Sequence, residues 1–344
     1  MSRILVFDLE NKPAGEIHAN VTRGWAISGG DKSTFTLTND EAALPFLQIG
    51  RMVYVDGGVN EADGSKKLPN WAGMIDTPWV ATSPVSVTAY DPPYLMSIRS
   101  AYGPDLRTGD TGTIALRFLE LANQLGDLYL RAGDIEFGDS VKEYPVVSSK
   151  TDWAQLAQLA LDYGMEIQFR PEIDNENRLL IYVDLKRTLG AATQIILKDG
   201  DGGNMQIQEA ALDGVIMNAV KGHNSASTEA GRKYSDIEKN QESIDLYRTR
   251  NAIVQFNTTG DSDLQDLPKN YVAANGKPYL NLKIAVRDAP LVFSHLRLGN
   301  IVSVNAANII LPGGIKGWTG QARIEAMTYD EGINQVTMTM KGSL

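Results

Sequence analysis

Leu298-Gly299-Asn300-Ile301-Val302-Ser303-Val304, followed by Trp318-Thr319-Gly320 and Val336-Thr337-Met338-Thr339, repeats a pattern already used near the N-terminus. There it reads Ile49-Gly50-Arg51-Met52-Val53-Tyr54-Val55, then Trp71-Ala72-Gly73, then Val85-Ser86-Val87-Thr88. The interval from glycine to tryptophan is 21 residues in the first copy and 19 in the second. Each tryptophan has a glycine two places on. The approach matches too: an extended run, an aspartate and a leucine precede each copy, at residues 35–37, Asp40 and Leu47, and at 280–284, Asp288 and Leu296. One small β-module is used twice.

Alternation of Val53 with Val55, and of Val85 with Val87, is the period-two signature of strands with one buried face. Gly50 and Gly299 stand where the chain turns into a strand, a position that favours positive φ or a bulge. Trp71 with Gly73, and Trp318 with Gly320, place a large ring beside a glycine's open face inside a small barrel. These six residues are the candidate functional positions, as structural repeat positions rather than as a catalytic site.

Working outward, residues 1–97 read as strands at 3–8, 16–27, 33–38, 51–57, 71–80 and 84–90, the pattern of a first β-barrel module. The polar stretch 57–67 is an exposed hairpin tip. From 98 to 200 the period becomes helical. Ile114, Phe118, Leu121, Ala122 and Leu125 share one face, capped by Asp110 or Thr111 and closed by Gly126. A second helix runs from Thr151 through Trp153, Leu156, Ala157, Ala160 and Tyr163 to Gly164. A hairpin at 165–170 and 178–186 turns over 174–177, which completes an inserted α+β domain. Residues 201–344 form the second β-barrel module, with strands at 205–209, 219–221 and 252–257. Within it lie a polar loop at 224–236, expected to be mobile, and a helical excursion at 262–276 that Pro268 should kink or delay. The fold class expected is α+β, mainly β: two related small β-barrel modules with an inserted α+β domain.

The chain has 344 residues and a formal charge of −10, with 22% charged and 43% hydrophobic residues. That composition describes a folded chain without a membrane-spanning run. The first residues, with an early acid at Asp8, read as a strand rather than a secretory leader. The absence of cysteine removes disulfides, thiolate metal sites and thiol nucleophiles. No dense basic stretch grips phosphate, although an acidic wall suits a conduit that must not hold DNA.

No motif assembles chemistry. His18, His223 and His295 lack partners at ligand spacing. The stretch 24–33 superficially follows a phosphate-binding loop but has Gly30 and Asp31 where Lys and Ser/Thr belong, and an aspartate there repels phosphate. Asp199-Gly200-Asp201-Gly202-Gly203-Asn204 invites calcium, yet the EF-hand pattern fails at Gly203 and Ala210, which leaves a plain connection. The 42 acids offer no sequence-visible catalytic pair. The expectation is a non-enzyme with no catalytic residue, no cofactor and no metal.

The chain resembles the tail hub proteins of tailed bacteriophages and related injection machines, including the N-terminal hub region of siphophage tail-associated lysins. The resemblance is carried by Trp71-Ala72-Gly73-Met74-Ile75-Asp76, by 85–91 with Tyr94 and Leu95, by Asn218-Ala219-Val220-Lys221-Gly222, and by 298–304 through Trp318 to Met340. It implies a homotrimer whose barrels form a pseudo-hexameric ring, adapting a six-fold tail to a three-fold tip around a channel for DNA and tape measure. Implied partners are further copies of the chain, a distal tail or tail tube protein, the tape measure protein and tip or fibre proteins, with DNA passing without specific binding and no membrane insertion by this chain. The implied location is the virion tail tip or baseplate, assembled in the bacterial host cytoplasm. The chain ends at its second module, so lytic activity is not carried over. Two other readings are a tail-tip cell-wall hydrolase and a distal tail or carbohydrate-binding tip component.

Overall fold

The computed structural model describes residues 2–29, 32–37, 44–59, 64, 67–76, 85–99, 105–124, 128–138, 140–147, 149–213, 215–226, 231–258, 261–287, 292–312 and 314–343. Asp40, Gly126 and Asp288, the stretch 77–80 of the expected strand 71–80, and residues 227–230 of the polar loop lie outside them.

β1 (Ser2–Phe7), β2 (Pro13–Ala26), β3 (Lys32–Leu37), β4 (Met52–Val55), β5 (Trp71–Ile75) and β6 (Val85–Tyr90) fall within or overlap the six strands read from the sequence. Their pairings run β1-β4-β5-β6-β3-β2, and β2 returns to β1. Six strands thus close on themselves, which leaves no unpaired edge and gives the apolar positions an enclosed interior.

Next come α1 (Pro92–Ser97), β7 (Asp105–Asp110), α2 (Thr111–Gln124), β8 (Leu130–Ile135), β9 (Ser140–Val146), α3 (Asp152–Asp162), β10 (Glu166–Ile173) and β11 (Leu179–Lys186). Both expected helices have side-chain caps: Asp110 Oδ1 accepts from the Thr113 N–H at 2.8 Å, and Thr151 Oγ1 from the Ala154 N–H at 3.2 Å. After α3, Gly164 takes φ 62°. The β10–β11 hairpin turns on Asp174, whose Oδ1 accepts from the N–H groups of Glu176 and Arg178. β8 adds to it in parallel, while β7 and β9 form a separate pair. Neither was legible beforehand.

The remaining elements are β12 (Ala192–Lys198), β13 (Met205–Asp213), β14 (Ala219–His223), β15 (Tyr234–Lys239), α4 (Gln241–Tyr247), β16 (Asn251–Gln255), α5 (Asp261–Asn275), β17 (Tyr279–Arg287), α6 (Val292–His295), β18 (Ile301–Leu311), β19 (Ile315–Asp330) and β20 (Gln335–Ser343). β18-β19-β20-β17-β13 pair in that order, all antiparallel, and β12 lies parallel to β18. Among the described residues no pairing closes β12 onto β13. β19 also pairs with β2, so both sets belong to one 12-stranded sheet.

A single core fills both sets, from Ile4, Val53, Trp71 and Val87 to Val302, Ile324 and Met338. A second core buries the outer face of the first ring, through Phe7, Met52, Tyr54 and Ala72, beneath α1, α2, α3 and the β8–β11–β10 sheet. That explains why every residue of β4 is buried instead of alternate ones. Segments are distributed differently from the boundaries at 97 and 200: β12 joins the large sheet, whereas β15–β14–β16 form their own small sheet with α5, and Phe256, Leu264 and Leu267 enter the second core.

Two local expectations change. The expected loop 224–236 ends in a strand, since β15 starts at Tyr234, and it is pinned by Asn224, whose Oδ1 accepts from the Lys233 N–H at 3.0 Å while its own N–H donates to the Lys233 carbonyl. The helical excursion begins at Asp261, one residue before the expected 262, and carries Pro268 inside it. There Pro268 packs against the backbone of Gly222, where an added Cβ would fall 2.9 Å from its ring.

Candidate assembly surface

The repeat positions can be compared through their backbone bonds. The Gly50 N–H donates to the Ile75 carbonyl at 2.8 Å, and the Ile75 N–H donates to the Arg51 carbonyl at 2.9 Å. In the second set, Gly299 donates to Ile324 at 2.8 Å and Ile324 donates to Asn300 at 2.9 Å. Both glycines have positive φ, 86° and 78°. Leu47 and Leu296, each three residues before its glycine, are buried. The outer strands keep step: Phe35 faces Val87 across β3–β6, and Ile284 faces Met338 across β17–β20.

The tryptophans do not keep that step. Val55 pairs with Trp71, but Val304, its counterpart counted from the glycine, pairs with Gly320; Trp318 faces Ala306 instead. Trp318 therefore sits two residues further along its hairpin, on the same face because the side-chain period is two. Aligning the Trp-x-Gly triplets directly pairs positions that are not equivalent in the ladder.

Each ring nevertheless covers glycine. A Cβ on Gly73 would lie 2.3 Å from Trp71 and 2.5 Å from the Tyr90 carbonyl oxygen. A Cβ on Gly320 would lie 2.5 Å from Trp318, and one on Gly342 2.6 Å from it. Trp71 is buried and Trp318 only partly so.

The seam between the two sets runs along β2 and β19. Thr22, Arg23, Gly24, Trp25 and Ala26 face Asp330, Tyr329, Thr328, Met327 and Ala326. It is extended by Glu331 donating its N–H to Val21 and Ile27 donating to Glu325. Arg23 is buried here, its guanidinium 5.4 Å from the Tyr329 ring centre and 5.8 Å from that of Trp25, and its Nη1 donates to the Asp56 carbonyl at 2.8 Å. Burial pulls its pKa below the usual arginine value, while Tyr329, Glu331 and Asp56 pull the other way. Sequence reading missed this arginine; its only signal was a charge inside a strand with apolar neighbours.

The second set is tied to the β10–β11 layer as well. Arg323 pairs with Glu166 at 2.5 Å, with both side chains 20% exposed, and Glu166 also accepts the Leu189 N–H at 2.7 Å. Gly299 touches this junction, since a Cβ there would fall 2.2 Å from the Leu189 carbonyl oxygen.

Residues with chemical potential have structural occupations. Asp199 spends both carboxylate oxygens on the Ala307 and Asn308 N–H groups, at 2.6 and 3.0 Å, within the register shift of β18 between Ala306 and Ile310. Asn204 Oδ1 accepts from Lys198 at 2.9 Å. The 199–204 motif is thus a strand connection. Ser28, in the phosphate-loop look-alike, exchanges hydrogen bonds with Ile167, its N–H donating to the Ile167 carbonyl and its Oγ accepting from the Ile167 N–H. His18, His223 and His295 lie on β2, β14 and α6, and no group of three His, Cys, Asp or Glu that could hold a metal occurs among the described residues. Asp162, at the end of α3, is buried, and burial pushes its carboxyl up to about 6 against the Gln158 amide, the Asn257 N–H and the charge of Lys150. Its oxygens accept from Gln158 at 2.7 Å and Asn257 at 3.3 Å, which ties α3 to the segment after β16. No helix among the described residues is long and apolar enough to cross a membrane.

This fold, as a whole chain, is similar to that of solved prophage tail proteins. The chain is similar to the prophage tail protein gp18 from Listeria monocytogenes EGD-e, with 13% identity and a TM-score of 0.61, covering 99% of this chain and 94% of that one. The 43 kDa tail protein of prophage MuSo2 from Shewanella oneidensis matches at 14% identity and a TM-score of 0.59, covering 98% of each chain. A chain of the Francisella PdpA-VgrG complex matches over 99% of this chain and 57% of that one, at 9% identity and a TM-score of 0.54. No family model matches the chain, and no curated protein matches it.

Proposed function

We propose that this chain is a structural hub protein of a bacteriophage tail or a related injection machine, without enzymatic activity. The observation that carries the reading is the paired backbone anchor, Gly50 with Ile75 and Gly299 with Ile324, set in the same strand order twice. Two copies of one β-module per chain let three chains present six similar positions, which matches a six-fold tube above while the intervening α+β layers stay three-fold toward the tip. The neighbours in fold support a place in a phage tail; a position at the tail tip or baseplate and assembly in the host cytoplasm are part of the same proposal.

In this reading the trimer docks against a distal tail or tube protein, meets tip or fibre proteins below, and surrounds a channel for the tape measure and DNA. With −10 per chain, a wall of acids repels DNA rather than holding it. The test is a cryo-EM reconstruction of the assembled particle. Three copies per ring with the two modules alternating at one radius is the expected result; six copies per ring, or modules at different radii, overturns it. A zymogram on cell-wall substrate is expected to stay uncleared, and clearing would return the hydrolase reading.

A further inference from the structure

We propose that the end of the β18–β19 hairpin of one copy of this chain seats Ile310 and Ile315 in a groove on the outside of the first ring of the next copy, with Lys316 against Glu10. This rests on the trimeric reading above and names a contact that sets one chain against the next.

The hairpin is longer than its counterpart. β4 and β5 pair over four rungs, from Met52 with Met74 to Val55 with Trp71, whereas β18 and β19 pair on to Leu311 with Ile315. Pairing with the neighbours stops short of that end: β12 leaves β18 at Asn305, and β20 leaves β19 at Ala322. Among the described residues, the last rungs are paired only with each other. Ile309 and Leu311 pack against the chain's own core. Ile310 and Ile315 do not, being 72% and 61% exposed, and Lys316 faces Ile310 across the ladder. Large apolar side chains held in water at the end of a projecting hairpin mark a contact surface.

The same chain carries a groove that suits this end. It lies between the β1–β2 turn, the outer face of β4–β5 and α1, with a volume of about 420 Å3. Met52, Met74, Leu95 and Leu128 line it, and Leu9 and Ile98 stand at its rim, 75% and 53% exposed. The charges are complementary. Asp8 and Glu10 both border the groove, while Arg99, which also lines it, donates its Nη1 to the Ala122 carbonyl at 2.7 Å. The Glu10 carboxylate and the Lys316 ammonium find no partner among the described residues. Another exposed apolar face, on the β15–β14–β16 sheet, places Ile237 and Ile253 on either side of Lys221, which repels Lys316.

Within one chain the hairpin end is exposed and the groove is open, so the two do not meet. A second copy satisfies both at once. The contact is heterologous, hairpin of one copy to groove of the next, and three such contacts close when each turns the chain by a third of a circle.

The test is an engineered disulfide and a charge swap, both made in the full chain and read in assembled tails. The chain has no cysteine, so Ile98→Cys together with Ile310→Cys supplies one reactive pair. Oxidation is expected to join copies into covalent trimers on a non-reducing gel, and neither single variant is expected to do so. Lys316→Glu is expected to lower incorporation into tails at least about tenfold, and Glu10→Lys in the same chain to restore it to within about threefold. Circular dichroism and the thermal midpoint serve as fold controls, because all four side chains are exposed. Tails that hold trimers without the covalent link, or with a link only inside one chain, overturn the docking and leave the hub reading standing. A charge swap that restores nothing also overturns the docking. Covalent hexamers would keep the docking and overturn the trimeric reading.

Discussion

The hairpin β4–β5 and the hairpin β18–β19 start from the same glycine anchor and end in different surroundings. β4 is buried throughout because the helical layer covers its outer face, while β18 begins with alternation between partly buried and buried residues. Trp71 lies inside; Trp318, two residues further along its hairpin, is half covered and rests on Gly320 of its own strand and Gly342 of β20. The glycines differ in the same manner. Gly50 has open space beyond Leu9, whereas Gly299 is pressed against the backbone of Leu189. The same backbone bonding at Gly50 and Gly299 thus coexists with side chains that answer to different neighbours.

The sharpest way to break this comparison is to truncate the two rings. Trp71→Ala should cost about 3–5 kcal/mol, as expected for a fully enclosed tryptophan, and Trp318→Ala about 1–2 kcal/mol. Equal costs in chemical denaturation would show that the two surroundings do not differ. Gly299→Ala should cost about 2–4 kcal/mol, from positive φ together with the clash at Leu189, against about 1 kcal/mol for Gly50→Ala, where only φ is strained. A larger cost at Gly50 would reverse the assignment of the tighter junction.

A pH series sharpens the comparison through the helices that cover the first ring. Asp162 has its folded pKa raised to about 6 by burial, so the folded layer binds a proton more tightly than the unfolded chain. Its contribution is fully present below the ordinary aspartate value and is lost as pH rises through about 6. Lowering pH from 7 to 5 should increase hydrogen-exchange protection around α3 by about 1–2 kcal/mol, with β18–β19 unchanged. Asp162→Asn should abolish that gain; a gain that persists in the variant would assign it to another group. The smallest effect expected is at Arg323→Gln, about 1 kcal/mol, because its pair with Glu166 is partly solvated.

What was legible in the sequence was local. All six strands of the first ring, the caps at Asp110 and Thr151, and the turn on Asp174 were readable because each is specified by side chains within a few residues. The turns at Gly50 and Gly299 were also readable, since each glycine stands just before a strand and takes the positive φ that position favours. Contacts decided by distant partners were not. The β2–β19 seam joins residues about 300 positions apart, and nothing in 22–26 announces its partner. The parallel placement of β12 beside β18 was hidden for the same reason. The Trp-x-Gly triplets were legible as words but misleading as an alignment, because only the hydrogen bonds reveal the two-residue offset. Among the repeat positions, the sequence could identify Gly299 as a turn but not that Leu189 leaves it no room.

β19 has 16 residues and changes neighbours midway, from β18 to β2 along one side, while β20 follows its second half. One unbroken stretch of backbone is therefore the mechanical tie between both halves of the chain. When a strand is pulled along its own axis its ladder bonds are loaded together in shear, whereas a hairpin pulled sideways gives way one bond at a time. Tension along β19 is shared by the β2, β18 and β20 ladders at once, so the chain resists stretching in that direction far better than it resists peeling at the seam.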